Sequence, residues 1–351
     1  MPILQADDIV DLVKTTQREL GEMKWTEIAT DIQEHVALPN LLSSEKVSFD
    51  SGYGVQWNLM IDHSGAARDT GLYAVDNVNV QDVMATANIP WRHVTTSYAI
   101  ERREIAMNRE PRRIVDLVKV RRADAMIGLA EHMERRFWQA PTGPNDDRIF
   151  GVGYWAVYNA TAGFNGQNPT GFSDVAGLDS SSSDYSRWRN YTAQYSAVTQ
   201  ADLIKKWREA AVKTLFKPLA AAAVPTYNGG DRYGYYVNYN VLGTLEEELR
   251  QQNDNLGNDI APKDGEVIFR RVPVTYVPYL DNASGDPVYG INWGVFQPVF
   301  LSGEYMRETG PEVASNQHTV MNTFVDCTLN IRCTNRRRLF VLATSNPTFS
   351  A

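Results

Sequence analysis

Five histidines and two cysteines are the residues of this chain best suited to metal or nucleophilic chemistry, and their spacing supports neither. His35, His63, His93, His132 and His318 form no H-x-x-x-H pair, and none sits near a cysteine, so a zinc site is not expected. Cys327 and Cys333 lie six apart in a segment that alternates Val325, Cys327, Leu329, Ile331, Cys333 on one parity. On a straight strand that spacing is about 20 Å, whereas a disulfide needs Cα atoms within about 7 Å. Two buried, reduced thiols are the expectation. Neither G-x-x-x-x-G-K-[ST] nor G-x-S-x-G occurs, and Gly151 and Gly153 lack the third glycine of a dinucleotide fingerprint. Asp254, Asn255, Asn258 and Asp259 miss calcium-loop spacing and read as a solvated turn. Glu246 and Glu247 read as a charged helix face. No catalytic, cofactor or metal residue is assigned, and the chain is not expected to be an enzyme.

Two further groups carry binding potential. Arg336, Arg337 and Arg338 form a basic turn that suits phosphate, but a net charge of −8 argues against an open nucleic-acid surface, so salt bridges or a solvated tip are expected. Between 140 and 198 lie Tyr154, Trp155, Tyr158, Phe164, Phe172, Tyr185, Trp188, Tyr191 and Tyr195. Aromatics at this density suit a carbohydrate or peptide surface, or else a packed region or subunit interface. Packing or interface is the preferred reading.

The elements that must position these residues are legible in the hydropathy pattern. Over 47–61, Val47, Phe49, Tyr53, Val55, Trp57, Leu59 and Ile61 share one parity, which is the mark of a strand with one buried face. At about 3.3 Å per residue the segment reaches roughly 50 Å, against a usual strand of about 17–20 Å. Asp62–Gly71 is turn-like, and the chain returns through 72–83 and 89–100. A two-stranded arm results. An isolated hairpin is marginal in water, so its apolar face requires another surface, expected from a second copy of the chain.

Pro111 opens a helix that ends near Gln139, before Pro141 and Gly143. Ile114, Leu117, Val118, Ala125, Leu129, Met133 and Phe137 form its apolar stripe. Its length is about 43 Å at 1.5 Å per residue. Helical spacing is also expected over 5–35, broken at Gly21 and ended by Pro39, and over 199–216 and 241–250. Strands are expected at 233–239, 267–279, 289–300, 320–333 and 339–343. The Gly-, Asn- and Ser-rich stretch 140–198 reads as a long irregular section, of the sort usually kept for function.

The 351 residues suggest two or three domains, and 43% apolar with 22% charged residues is ordinary for a globular chain. No window approaches 18 uninterrupted apolar residues, so no membrane partner is expected, and the acidic start MPILQADDIVDLVK does not read as a signal peptide. Charge is uneven: residues 1–40 carry eight acids and three bases, 48–95 five acids and two bases, and 101–139 seven acids and ten bases. The acidic arm and basic helix are expected to complement one another between copies.

The segments Tyr98-Ala99-Ile100-Glu101, Ile114-Val115-Asp116-Leu117, Gly151-Val152-Gly153-Tyr154-Trp155 and Cys327–Arg337, set in this order of elements, resemble the major capsid proteins of tailed double-stranded DNA phages. The resemblance spans nearly the whole chain and implies an α+β Hong Kong 97-type fold. It implies an N-terminal arm (1–45), an extended hairpin or E-loop (46–97), a peripheral domain opened by 98–150 with its spine helix near 111–139, a mostly axial domain (151–315) and closing peripheral strands (316–351). It further implies a shell subunit that self-assembles into hexamers and pentamers of an icosahedral head enclosing double-stranded DNA, within a bacterial host. Its expected partners are itself, a separate scaffolding protein, a portal and a decoration protein. Candidate intersubunit contacts are Tyr53, Val55, Trp57, Leu59, Asp62, Arg68, Asp69, Arg112, Arg113, Arg121, Arg122, Arg336 and Arg337. Two alternatives are an encapsulin-like nanocompartment shell and a carbohydrate-active enzyme using the aromatic middle. The enzyme would be a compact monomer with a cleft and no projecting arm.

Overall fold

The computed structural model describes residues 35–42, 47–62, 69–72, 83–107, 111–215, 233–254, 267–270, 272–314 and 317–349. The first element described is a short helix, α1 (Ala37–Leu41), and then β1 (Ser48–Asp50), β2 (Gly54–Met60), β3 (Met84–Pro90), β4 (Arg92–Glu101) and α2 (Arg102–Met107). The spine helix α3 (Pro111–Trp138) follows, with the start and near-terminal residue its Pro and Gly punctuation predicts. Beyond it come α4 (Val152–Trp155), β5 (Gly163–Gly166), β6 (Asn190–Gln194), α5 (Lys205–Thr214), β7 (Tyr233–Val237) and α6 (Tyr239–Asp254). The chain ends with β8 (Ile268–Phe269), β9 (Val272–Tyr276), β10 (Val288–Asn292), β11 (Phe296–Leu301), β12 (Arg307–Ala314), β13 (Gln317–Cys333) and β14 (Phe340–Ala343).

Three sheets organise these strands. In a five-stranded sheet, β13 pairs with β11 and β12 along one edge and with β4 along the other, while β1 joins β11 in parallel. A seven-stranded sheet runs β5-β6-β14-β10-β7-β9-β8, and β2 and β3 form a separate antiparallel pair. The expected stripe on α3 is buried wherever its side chains are described: Val118, Ala125, Leu129, Met133 and Phe137 all face the core. That core joins α3, the β2–β3 pair, the 149–188 segment and β13. A second core packs Leu203, Trp207 and Ala210 against Tyr235 and Phe340 of the seven-stranded sheet.

Several expectations fail for local reasons. The predicted 15-residue strand is interrupted: Gly52, at φ +118°, turns the backbone after β1. β1 therefore pairs with β11 while β2 departs into the arm. The predicted 289–300 strand divides into β10 and β11, which lie in different sheets. Asn292 accepts a hydrogen bond from Gly294 N at 3.0 Å and sets the 3₁₀ turn between them. Arg270, at φ 51°, divides the 267–279 segment into β8 and β9. Thr199 makes no side-chain cap. A π-helical turn, Gln200–Ile204, precedes α5, and the Asp202 carboxylate accepts from the amides of Ser196 and Ala197. Pro39 does not end a helix but sits inside α1, in a first turn whose amides need no intrahelical acceptor. The 316–351 strands do not close together: β13 belongs to the five-stranded sheet, and β14 lies between β6 and β10 in the other. Likewise β11 and β12, placed in the axial section, pair with β13. The helical reading of 5–35 lies outside the described residues.

Cys327 and Cys333 are both free and buried, as their spacing requires. Burial pushes each thiol up to about 12. At pH 8 neither should react with a thiol-specific disulfide reagent in the native protein, and both should react once the chain is unfolded in guanidinium. Fast native labelling of either would show that the β13 core opens.

Candidate functional site

The arm contributes to the core at its base and carries uncovered apolar side chains beyond it. β2 and β3 pair from Gly54↔Pro90 at the base to Met60↔Met84 at the far end, and Ile61 N donates to Val83 O beyond. At Gly54 a β-carbon would stand 2.9 Å from the backbone oxygen of Ile89, so the strands approach there as glycine permits. The base of the arm is anchored in the body. Val55, Ala87 and Ile89 are fully buried, Trp57 packs on Trp155 with ring centroids 6.2 Å apart, and Asn88 N donates to Ala176 O at 2.9 Å. Trp91 Nε1 donates to Gly52 O, bracing the kink that separates β1 from the arm.

This corrects the reading of the arm as a hairpin whose apolar face lacks any cover in the chain. Val55 is core, and Trp57 and Leu59 are half-buried against it. Tyr53 shares their sequence parity but follows the Gly52 kink, so it projects fully into solvent. Among the described residues of the arm, the uncovered large side chains are Tyr53, Met60, Leu72 and Met84. Asp62 pairs with Arg187 at 3.1 Å, and Asp69 is exposed. Arg68 lies outside the described residues.

The basic candidates are largely spent within the chain. Arg121 bonds both oxygens of Glu104, at 2.8 and 2.6 Å, and reaches Ala99 O. Arg122 is buried and pairs with Glu308 at 2.6 Å, tying α3 to β12. Arg112 and Arg113 lie on the described backbone of α3, with their side chains outside the described set. Arg336 is not a solvated tip. It is fully buried, and its Nε, Nη1 and Nη2 donate to Trp155 O (2.9 Å), Trp188 O (2.8 Å), Gln167 O (3.0 Å), Gly166 O (3.3 Å) and Asn190 Oδ1 (3.2 Å). Burial lowers its pKa to about 10, which keeps the guanidinium charged at neutral pH. Arg337 stacks over Phe164 at 4.3 Å. The aromatic middle follows the packing reading: Tyr154, Trp155, Trp188, Tyr191 and Tyr195 are buried.

Sequence reasoning missed Glu134. Its carboxylate is fully buried and accepts from Val36 N, Ala37 N and Leu38 N, at 2.8–3.1 Å, and from Trp138 Nε1 at 2.9 Å. It thereby fastens the N-terminal segment to α3. The available signal was an acid in the i, i+4 series Ala130, Glu134, Trp138 on an otherwise apolar face. Asn330 was also missed: buried on β13, it accepts from Phe150 N and Ile331 N and donates to Pro90 O. Among the described residues, no cluster of His, Cys, Asp or Glu suits a metal ion, and no helix is long and apolar enough to cross a membrane.

With this geometry in hand, the fold can be compared with known structures. The chain is similar to the capsid protein in the cyanophage A-1(L) capsid asymmetric unit, with a TM-score of 0.59, 14% identity, and coverage of 95% of this chain and 99% of that one. It is similar also to the capsid protein of the native GTA particle, with a TM-score of 0.54, 10% identity, and coverage of 87% and 88%. No protein-family model matches the chain, and no curated protein matches it in sequence. The α+β arrangement of spine helix, two sheets and hairpin arm is the Hong Kong 97-type capsid fold of tailed phages, as the sequence resemblance implied.

Arg336→Ala leaves several buried carbonyls without donors, each costing about 1–3 kcal/mol, so it should destabilise the subunit by more than about 3 kcal/mol in urea denaturation. Arg336→Lys keeps the charge but loses the planar fork and should recover only part of the loss. Wild-type stability of the alanine variant would show that water replaces the guanidinium without penalty.

Proposed function

We propose that this protein is a shell subunit of a tailed-phage head, without catalytic turnover, that self-assembles into hexamers and pentamers around double-stranded DNA. The observation that carries the reading is the arm: a body with the capsid fold holds it rigidly at the base and leaves Tyr53, Met60, Leu72 and Met84 uncovered. Full burial of a large apolar side chain contributes about 1.5–3 kcal/mol, and a shell repeats that gain in every copy. The seven-stranded sheet serves as the axial domain around each capsomer centre. The five-stranded sheet with α3 serves as the peripheral domain. A net charge of −8 limits adhesion of packaged DNA to the wall. A separate scaffolding protein, a portal at one vertex and a decoration protein complete the partners. The carbohydrate-active alternative loses its basis, because the aromatic side chains it needed are mostly packed.

Negative-stain microscopy of the purified protein should show closed shells or capsomers, and a persistent monomer across concentration and salt would refute the proposal. Particle size and the presence of a portal vertex separate a phage head from a nanocompartment.

Replacing residues 62–82 with a short Gly/Ser linker should leave cooperative melting intact and abolish closed particles. A wider excision from 52 to 88 removes Val55 and Ala87 from the core and should unfold the subunit, as should Trp57→Asp in part. Closed shells from the 62–82 replacement would remove the tip of the arm from the assembly mechanism.

Reversing Arg112 and Arg113 to Glu should raise the concentration needed for assembly, and high salt should act in the same direction, since exposed pairs contribute about 0–1 kcal/mol each but recur around the shell. Identical assembly of the double variant at all salt concentrations would make these charges a solvated face.

A further inference from the structure

Beside the last turn of α3 lies an open groove of about 600 Å³ that the shell reading does not use. Arg135 and Arg136 on α3 and Arg148 on the following turn supply its charge, and Tyr158, Pro169 and Phe349 are among its apolar walls. One side is a strap, Asn346–Phe349, held to Ser284 by Ser284 N donating to Thr348 O at 2.8 Å and Thr348 N donating to Ser284 Oγ at 3.0 Å. Compensation for the arginines is slight. Asp146 is the nearby acid, and its carboxylate already accepts from Thr142 N and Oγ1 while standing 3.5 Å from Arg148. Among the described residues, Arg136 bonds the neutral Gln139 Oε1. Its guanidinium pKa is lowered by burial and then by Arg148 and Arg135, which places three like charges in one concavity of an acidic protein.

A concavity of this size with apolar walls and guanidinium groups suits a peptide segment that mixes carboxylates with aliphatic side chains. The net charge of −8 disfavours nucleic acid as its occupant. Residues 1–34 have that chemistry: eight acids against three bases, with Asp7, Asp8 and Asp11 interleaved with Ile9, Val10, Leu12 and Val13. Their attachment point is close. Val36–Leu38 are bonded to Glu134, whose neighbours in sequence are the groove's Arg135 and Arg136. A segment tethered there meets the groove at an effective concentration in the millimolar range. We infer that the acidic N-terminal segment, residues 1–34, docks in cis into the Arg135–Arg136–Arg148 groove of its own subunit. This contact stands apart from shell formation and is read on the full chain whether or not shells form.

The test places a photo-crosslinking phenylalanine analogue at Tyr158 in the full chain, with equal amounts of isotopically heavy and light protein refolded together and crosslinks mapped by mass spectrometry. Crosslinks should fall within residues 1–34 and join only peptides of the same isotopic label. The double substitution Arg135→Glu with Arg148→Glu should reduce their yield about tenfold, and Lys205→Glu, outside the groove, should not. Should the arginine variant fail to melt cooperatively, Asp7→Lys, Asp8→Lys and Asp11→Lys together, which leave the described body untouched, should give the same loss. Mixed-label crosslinks, crosslinks to any other segment, no crosslinks, or a yield indifferent to charge reversal on the segment would each overturn the inference.

Discussion

One buried guanidinium holds the two halves of this molecule in register. Arg336 follows β13, the central strand of the five-stranded sheet, and precedes β14, an inner strand of the seven-stranded sheet. Between the spine helix and β6 the chain runs for some fifty residues with α4 and β5 as its only regular elements, and it carries buried backbone carbonyls that need donors. Buried carbonyls must find donors. The Arg336 donors bond carbonyls from three separated parts of that section, at Trp155, Gly166–Gln167 and Trp188, together with the Asn190 side chain. No regular element could reach all of these points. A planar fork of five N–H groups can, and the carbonyl dipoles around it replace the water that a charge loses on burial.

The spine helix depends on a second buried ion of opposite sign. Glu134 receives three backbone amides of the N-terminal segment and one indole N–H, so its charge is spread over four donors. Together with the Arg122–Glu308 pair, it uses the polar residues of an otherwise apolar helix face to fix what packs there. Breaking such a pair costs more than its formation gains, because the remaining partner is left buried and uncompensated. The result is a rigid platform against which the arm can be held at a defined angle.

Rigidity at the base and exposure beyond it are complementary features of the arm. The Gly52 kink, the Trp91–Gly52 hydrogen bond and the Trp57–Trp155 contact fix the base of the hairpin against the body. The Asp62–Arg187 pair adds a solvent-exposed tie that can exchange partners at little cost. An arm preorganised in this way loses less conformational freedom when another surface covers Met60, Leu72 and Met84.

Periodicity alone determined the spine helix, the apolar parity of β13, the reduced state of both cysteines and the existence of a hairpin arm. These follow from local steric and spacing rules that need no knowledge of neighbours. The order of elements sufficed to suggest the capsid fold. Tertiary structure alone decided where the alternating 47–61 and 289–300 segments break, because a strand that changes sheets keeps its hydrophobic pattern while its hydrogen-bond partners change. It also decided the fate of the charges. Arg336 and Glu134 occur in sequence as one of three arginines in a turn and one acid in a helix. Burial depends on which distant carbonyls and amides converge on a group, and that convergence is a property of the folded chain rather than of any window along it.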